Sequence, residues 1–323
     1  MTVTPGVSPV RVAKRLLLIL SIAVPALLSS SCVFAARTVY RQYAQARERS
    51  QFEDEAGGMV ADADLPAGTR IVRDVAYGAD PKQKFDVYAP KDVRNAPVIV
   101  MVHGGGWAFG DRRMSRVVTN KARHWLAQGF VFVSVGYRLL PAAPVEDQAH
   151  DVAHALAAIQ QRAATWGGDG GKVVLMGHSA GAHLVALVAA SPTLATEAGA
   201  KPWRGSVLLD SAAYDVGAVM RGRHFPLYDR AFGSDSARWD ALSPLVQLSK
   251  AAAPVFAVCS SRRMESCPHA QAFAEKARSL GGQALVQRED KTHAEINADL
   301  GTPGVYTDAV DGFLRAIGVI PAR

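Results

Sequence analysis

Residues 173–181 read VVLMGHSAG, four apolar residues followed by the pattern G-x-S-x-G. Residues 182–186 continue in a helical pattern, so the stretch predicts a buried strand that turns sharply into a helix. In such a turn the glycines keep the neighbouring backbone clear, and the serine hydroxyl projects from the carboxyl edge of the sheet. The N–H of Ala180 lies at the start of the helix, where it stabilises negative charge. Ser179 is therefore predicted to be a nucleophile.

On both sides of this stretch, strand-like and helix-like segments alternate. Continuous apolar runs, typical of strands buried on both faces of a parallel sheet, occupy residues 97–102, 130–135, 172–176, 206–209 and 254–258. Helical patterns cover residues 115–128, 146–164, 180–190 and 269–280. Residues 71–77 and 84–88 alternate apolar with polar, as half-buried antiparallel strands do. The order predicts an α/β fold with a mostly parallel sheet and helices on both faces.

Three glycines form the second motif, because residues 103–107 read HGGGW directly after a predicted buried strand. The backbone N–H groups of such a loop can converge on one spot, which a developing oxyanion requires. A flexible turn or a phosphate cradle is the alternative. The chain has neither G-x-x-x-x-G-K-[ST] nor a G-x-G-x-x-G that opens a helix after the first strand. We therefore expect an oxyanion site beside the nucleophile.

A serine nucleophile needs a base, and the histidines that follow Ser179 are the candidates. His183 lies one turn along the predicted helix, so it leads away from the hydroxyl. His224 lies in residues 215–250, which interrupt the alternation and are predicted to form a small cap, and His269 heads a helix. His293 follows the last strand-like segment, in a loop from which it can fold back over the nucleophile. His293 is the predicted base.

With these motifs, the chain resembles the α/β-hydrolase superfamily, specifically its serine carboxylesterases with an H-G-G-G-W oxyanion loop, over roughly residues 70–320. The resemblance implies a Ser-acid-His triad, an acyl-enzyme and a small-molecule ester substrate. It also implies oxyanion donors at Gly105, Gly106 and Ala180. No metal or cofactor is expected, because the sequence has no H-E-x-x-H and no Cys/His ligand spacing.

Two other functions stay open at this point. Arylformamidases share an H-G-G-x-W loop, so the substrate could be an N-aryl formamide or another activated amide. A non-catalytic binding module with a hydrolase-like fold is a different class, although such proteins typically lose the serine or the histidine, and this sequence has both. The motifs favour ester hydrolysis through a Ser-Glu-His triad.

The acid of that triad is the weakest part of the match. In the family it usually follows the strand that corresponds here to residues 254–258, and an arginine stands where aspartate is commonest. Glu265 is the one carboxylate in this loop and is the predicted acid. Asp215, in the loop after the preceding strand, is the alternative.

Cys259 and Cys267 bracket the same loop, eight positions apart. In an exported protein they predict a disulfide, which would fix the backbone that presents Glu265 to His293. Two reduced thiols packed as small apolar groups are the alternative.

The N-terminus predicts export. Residues 1–15 are basic without an acid, residues 16–28 are almost wholly apolar, and small residues precede Cys32. We expect residues 1–36 to be a signal peptide or membrane anchor, with Cys32 as a lipidation site or cleavage after Ala35. A polar linker follows at 37–66, then a catalytic domain at 67–323 with a cap at 215–250. The protein is expected to be periplasmic, secreted or membrane-anchored.

The charge of the chain agrees with that division. The formal net charge is +7 over 323 residues, and residues 1–31 carry three positive charges and no acid, so the remainder carries +4. No basic stripe with interleaved aromatic residues is present, and no nucleic-acid motif. Nucleic acid is therefore not an expected partner.

Overall fold

One sheet organises the protein in a computed structural model that describes residues 57–320. Its strands are β1 (Arg70–Ala76), β2 (Lys84–Ala89), β3 (Ala96–Val102), β4 (Val131–Val135), β5 (Gly168–His178), β6 (Gly205–Leu209), β7 (Val255–Ser260) and β8 (Ala284–Glu289). Their spatial order is β1-β2-β4-β3-β5-β6-β7-β8. The β1–β2 and β2–β4 pairs are antiparallel and the other pairs are parallel.

Helices connect the parallel strands. They are α1 (Ser115–Ala127), α2 (Val145–Arg162), α3 (Ala180–Ala190), α4 (Pro192–Glu197), α5 (Val216–Arg221), α6 (Pro226–Phe232), α7 (Ser236–Ala241), α8 (Pro244–Gln247), α9 (Ser266–Ser279), α10 (His293–Asp299) and α11 (Val305–Ala316). The described part also has 3₁₀ turns at Asp62–Asp64 and Ala163–Trp166. The predicted α/β fold with a mostly parallel sheet is confirmed.

The core consists of two apolar layers, one on each face of the sheet. Along β3, Val98, Val100 and Val102 face the layer that contains α2, α3 and α9. Ile99 and Met101 face the opposite layer, with α1 and α11. Successive side chains of a strand point to opposite faces, so a strand covered on both sides must be apolar throughout. This explains the continuous apolar runs.

Residues 215–250, which interrupt the alternation of strand and helix, contain the four short helices α5 to α8. Arg238 on α7 forms an ion pair with Glu146 on α2, with 2.9 Å between Nη2 and Oε2. Trp239 donates from Nε1 to the Gly233 carbonyl oxygen at 3.0 Å. These contacts tie the segment to α2 and to itself.

The carboxyl ends of the parallel strands β3, β5, β6, β7 and β8 meet at one edge of the sheet. The loops that leave this edge start at positions 103, 179, 210, 261 and 290. Ligands and reacting groups of open α/β sheets collect at this edge. The predicted nucleophile, oxyanion loop and base all lie in these loops.

The predictions of a signal and a linker concern the N-terminal residues of the chain. The signal at 1–36, with Cys32, and most of the linker at 37–66 lie outside the described residues. Between residues 57 and 320, no helix combines the length and the apolar character that crossing a membrane requires.

Candidate active site

Ser179 occupies the sharp turn between β5 and α3. Its φ of 55° and ψ of −119° are rare for a residue with a side chain, as expected for a nucleophile at a strained turn. Its N–H donates to the Leu209 carbonyl oxygen at 2.8 Å. A Cβ on Gly177 would lie 2.4 Å from the Gly181 carbonyl oxygen, so the turn requires glycine there. The strand-to-helix turn predicted from G-x-S-x-G is present.

His293 begins α10 and reaches back to the serine. Its Nε2 lies 2.9 Å from Ser179 Oγ, and its Nδ1 lies 2.5 Å from an oxygen of Asp210. A carboxylate only accepts hydrogen bonds, so Nδ1 carries the proton and Nε2 is left to accept from the hydroxyl. The predicted nucleophile and base are therefore in hydrogen-bond contact.

The helix that carries His293 is held at both ends. At its start, the Thr292 N–H donates to a carboxylate oxygen of Glu295 at 2.7 Å, and the Glu295 N–H donates to Thr292 Oγ1 at 3.2 Å. This capping box satisfies N–H groups that the first turn leaves unpaired. Near its end, the Asn297 carbonyl oxygen accepts from Nζ of the buried Lys121 on α1. Burial lowers the pKa of Lys121 to about 7.

Asp210, the first residue after β6, holds the other side of the His293 ring. Its side chain is fully buried. One oxygen, Oδ1, accepts from the Ser260 N–H at 2.7 Å and from the Ser266 hydroxyl. The other, Oδ2, accepts from His293 and, at 2.8 Å, from Arg263.

The charge of Asp210 is fixed by these partners. Burial alone would raise the pKa of Asp210. The hydrogen bond and charge of His293, the charge of Arg263 and the hydrogen bond from Ser266 outweigh burial, so the pKa of Asp210 lies well below its usual range. Asp210 is therefore a carboxylate at neutral pH.

This geometry corrects the predicted acid. Glu265 precedes α9, is half-exposed, and places an oxygen 3.5 Å from Arg263 Nη2. Asp215 caps α5 by accepting from the Ala218 N–H at 2.8 Å. Neither contacts His293, because the turn after β6 already sets Asp210 against the ring. The available signal was an aspartate placed directly at the carboxyl end of a buried strand, as Ser179 is.

His178, which no sequence pattern marks as a site residue apart from its place in G-x-S-x-G, lies beneath His293. The two ring centroids are 4.4 Å apart, and His178 Nε2 donates to the His293 carbonyl oxygen at 3.1 Å. Burial and then the charge of His293 hold the pKa of His178 well below its usual value. His178 is thus a neutral ring that supports the histidine loop from the strand of the nucleophile.

The glycine loop packs directly on the nucleophile turn. A Cβ on Gly104 would lie 3.0 Å from Ser179 Cβ, and a Cβ on Gly181 would lie 2.3 Å from the Val102 carbonyl oxygen. Any side chain at either glycine would separate the two loops. The three consecutive glycines and the last glycine of G-x-S-x-G therefore allow the glycine loop and the nucleophile turn to pack closely against each other.

Gly105 and Gly106, the predicted oxyanion donors, lie at the tip of this loop. Gly105 has φ of 119°, and a Cβ there would lie 2.2 Å from the Phe109 carbonyl oxygen, so only glycine fits. Within residues 57–320, the N–H groups of Gly105 and Gly106 donate to no backbone acceptor. Ala180, the third predicted donor, begins α3, whose N-terminus carries partial positive charge.

Trp107, the last residue of the HGGGW motif, anchors the loop below the short helices. Its Nε1 donates to His183 Nδ1 at 3.2 Å, and its ring lies 4.8 Å from that of Phe232 and 5.7 Å from that of Tyr228. His183 Nε2 in turn donates to the Leu242 carbonyl oxygen at 2.8 Å. Burial lowers the pKa of His183 to about 4, so this histidine is a neutral packing residue.

The segment that follows the glycine loop is anchored to β2 through Asp86. This buried carboxylate accepts from Arg112 Nε at 3.0 Å, Arg113 Nε at 2.7 Å and the Asp74 N–H at 2.8 Å. Burial would raise the pKa of Asp86, but Arg113, the Asp74 N–H and Arg112 together hold it below its usual value. The network fixes the position of the segment after the glycine loop relative to β2.

Cys259 and Cys267 form a disulfide, as the sequence predicted. The bridge joins the end of β7 to the start of α9 and closes the loop between them. The prediction that this loop presents Glu265 to His293 is wrong, since the loop presents Arg263 to Asp210 and His293 instead. No group of three or more His, Cys, Asp or Glu side chains suited to a metal ion occurs among residues 57–320.

Comparisons with known proteins agree with this architecture. Residues 85–206 match the family model described as BD-FAE. The chain is 30% identical over 118 residues to the probable isoprenylcysteine alpha-carbonyl methylesterase ICME of Oryza sativa subsp. japonica, which is 36% of this chain and 28% of that protein. It is 38% identical over 119 residues to Esterase LipC of Mycobacterium tuberculosis, again 36% of this chain and 28% of that protein.

Among solved structures, Esterase B from Lactobacillus Rhamnosis superposes with a TM-score of 0.66 at 21% identity, covering 90% of this chain and 95% of that chain. The two curated relatives above match the chain over less than a third of their own length. A nucleophile turn at the end of a central parallel strand, in a sheet of this order, defines an α/β-hydrolase fold. The chain therefore has the fold of the α/β-hydrolase superfamily, and its central part is similar to esterases.

Proposed function

We propose that the protein hydrolyses carboxylic esters through an acyl-enzyme on Ser179. The observation that carries the proposal is the unbroken hydrogen-bond chain from Ser179 Oγ to His293 Nε2 at 2.9 Å and from His293 Nδ1 to Asp210 Oδ2 at 2.5 Å. It lies at the edge of the sheet against the HGGGW loop. A non-catalytic binding module would not require this series of hydrogen bonds.

In the first half of the reaction, His293 Nε2 takes the Ser179 proton while Oγ attacks the acyl carbon. The carbonyl oxygen becomes an oxyanion, which accepts from the N–H groups of Gly105, Gly106 and Ala180. Donors of this kind contribute about 3–4 kcal/mol each to transition-state stabilisation. His293 then gives its proton to the leaving alcohol, and the acyl group stays on Ser179.

In the second half, a water molecule takes the place of the alcohol. His293 removes a water proton as the oxygen attacks the acyl-enzyme, and the same N–H groups hold the second oxyanion. Return of the proton to Ser179 Oγ releases the carboxylic acid. Asp210 keeps Nδ1 protonated throughout and stabilises the imidazolium that forms in each half.

Labelling with a fluorophosphonate tests this proposal. Because Oγ is activated by His293, we expect one covalent adduct, on the peptide that contains Ser179, found by mass spectrometry of digested protein. A panel of p-nitrophenyl esters of increasing acyl length, measured beside N-formylkynurenine, then separates ester from formamide hydrolysis. We expect turnover of the short esters. Folded protein without an adduct would support a binding module, and preference for the formamide would support an arylformamidase.

We further propose that the protein acts outside the cytoplasm. The basic and apolar residues 1–28 and the Cys259–Cys267 disulfide, which persists in oxidising compartments, support this. Full-length chain expressed in a bacterium is expected in the exported fraction, with a mass that lacks residues 1–31 when Cys32 is lipidated. Cys32→Ser should then move it from the detergent phase to the aqueous phase. Uncleaved chain in the cytoplasm would contradict export.

A further inference from the structure

Arg263 occupies a place in the site that the mechanism above does not use. It lies in the loop between β7 and α9, which the Cys259–Cys267 disulfide closes. Its Nη1 donates to Asp210 Oδ2 at 2.8 Å and to the Asp210 carbonyl oxygen at 3.0 Å. The same nitrogen lies 2.9 Å from His293 Nδ1.

Two side-chain donors, Arg263 and His293, therefore share one carboxylate oxygen. Asp210 Oδ2 accepts from both Arg263 and the His293 ring, while Oδ1 is occupied by the Ser260 N–H and the Ser266 hydroxyl. The guanidinium never loses its charge in proteins, so Asp210 always has one cation on it. When His293 accepts the proton of Ser179, a second positive charge arises next to the first.

We propose that Arg263 is a positioning residue that locks Asp210 on His293 and holds a permanent positive charge beside the ring. Contact with both Oδ2 and the main-chain oxygen fixes the position and the rotation of the carboxylate. The charge of Arg263 lies beside Nδ1, where it opposes formation of the imidazolium. This inference rests on the proposed function for its kinetic consequences only.

The charged and titratable groups around His293 come from four elements. Asp210 follows β6, Arg263 follows β7, and His178 ends β5 beneath the ring. On α10 itself, Glu295 forms the capping box. Around Arg263, Glu265 lies 3.5 Å from Nη2, and the Tyr228 hydroxyl of α6 interacts with the guanidinium. Of these groups, Arg263 is the cation in direct contact with Asp210.

The adjacent arginine supplies a matched control. Arg262 is half-exposed and forms ion pairs with Asp290 at 2.9 Å and Glu295 at 3.5 Å. It belongs to the same loop and carries the same charge as Arg263. Its ion-pair partners, however, are neither Asp210 nor His293. Arg262→Gln therefore reports what loss of one positive charge from this loop does by itself.

The experiment compares pH profiles of kcat/KM for wild type, Arg263→Gln, Arg263→Lys and Arg262→Gln. Loss of the guanidinium removes the repulsion, so the acidic limb of Arg263→Gln should move to higher pH by about one unit. Its plateau kcat should fall about 10- to 100-fold as the carboxylate loses its fixed position. Arg263→Lys should keep the acidic limb near that of wild type but with reduced kcat, because the flexible, strongly hydrated ammonium of lysine holds the carboxylate less firmly than the planar guanidinium does. Arg262→Gln should match wild type in both.

A second readout is independent of turnover. Nitrogen-15 spectra of the histidine rings follow protonation of His293 without substrate, and the midpoint in Arg263→Gln should rise as the kinetic limb does. If wild type neither labels nor hydrolyses, the proposed function fails, and the spectra still decide the role of Arg263. Equal midpoints in Arg263→Gln and Arg262→Gln would overturn the inference. If Arg263→Gln shows no cooperative thermal transition, an unchanged kcat in Arg263→Lys would overturn it instead.

Discussion

Replacing Ser179 by alanine is expected to lower kcat for the best ester substrate by about a millionfold, the size of effect seen when a triad nucleophile is removed. The reason is that Ser179 Oγ, at 2.9 Å, is the one hydroxyl within residues 57–320 that lies on His293 Nε2. The remaining rate enhancement would come from the oxyanion loop and substrate binding alone. Alanine has the same backbone demands as serine at this φ, so the strained turn is not made worse.

The partner variant shows whether the two residues act as one unit. His293→Ala should cost about as much as Ser179→Ala, and the double variant should be no slower than either single variant, because each removes the same step. Multiplying losses would indicate independent roles. Ser261→Ala is the control, since that hydroxyl lies near Asp290 on the surface rather than on the histidine. Steady-state kinetics with thermal unfolding of all four variants makes the comparison.

The fold follows closely from the sequence because its strongest signals are physical necessities. A strand with helices on both faces has to be apolar at every position, and the apolar run of β3 meets that condition in both layers. Helix α11 was not predicted, although Tyr306, Val310 and Leu314 recur at helical spacing and are buried. This helix buries only one stripe of apolar side chains and is flanked by short polar connections, so its helical pattern is weak in the sequence.

The site divides into parts that depend on local sequence and parts that depend on turns. Ser179 and the HGGGW loop carry their geometry in their glycines, so the residue pattern was sufficient to predict them. Which carboxylate meets His293 depends on how the chain leaves β6, where Asp210 adopts φ of 54°. Asp210 lies directly at the end of the buried strand and Asp215 five positions later, so the course of the turn between them decides which carboxylate faces the ring.

The topology explains why the acid can sit on either of two strands. Ser179 follows β5 and His293 follows β8, so the histidine loop has to cross the ends of β6 and β7 to reach the serine. A carboxylate at either crossed end lies under Nδ1. Here the β6 end supplies the acid and the β7 loop supplies Arg263. The chemistry requires an oxygen at Nδ1 and not a fixed place in the chain.

Asp210→Asn is expected to lower kcat by about 10⁴-fold. The amide has nearly the shape of the carboxylate but presents N–H groups to His293. A donor facing Nδ1 favours the tautomer with the proton on Nε2, which cannot accept the Ser179 proton. The amide also removes the anion that stabilises the imidazolium.

Glu265→Gln and Asp215→Asn should stay within about twofold of wild type, because neither carboxylate contacts the ring. A collapse of kcat in Glu265→Gln, with Asp210→Asn active, would return the acid to the β7 loop.

Stability against pH checks the same assignment without any substrate. The pKa of Asp210 is lowered in the folded protein, so its ionisation contributes stability that is fully present above the ordinary aspartate value of about 3.9 and is lost as the pH falls toward the folded value. Asp210→Asn lacks this contribution. Thermal unfolding should therefore show wild type more stable than Asp210→Asn at neutral pH, with the difference narrowing below about pH 4. Because the partners of Asp210 include both Arg263 and His293, a constant difference across that range would mean that Asp210 is not the charged centre of the site.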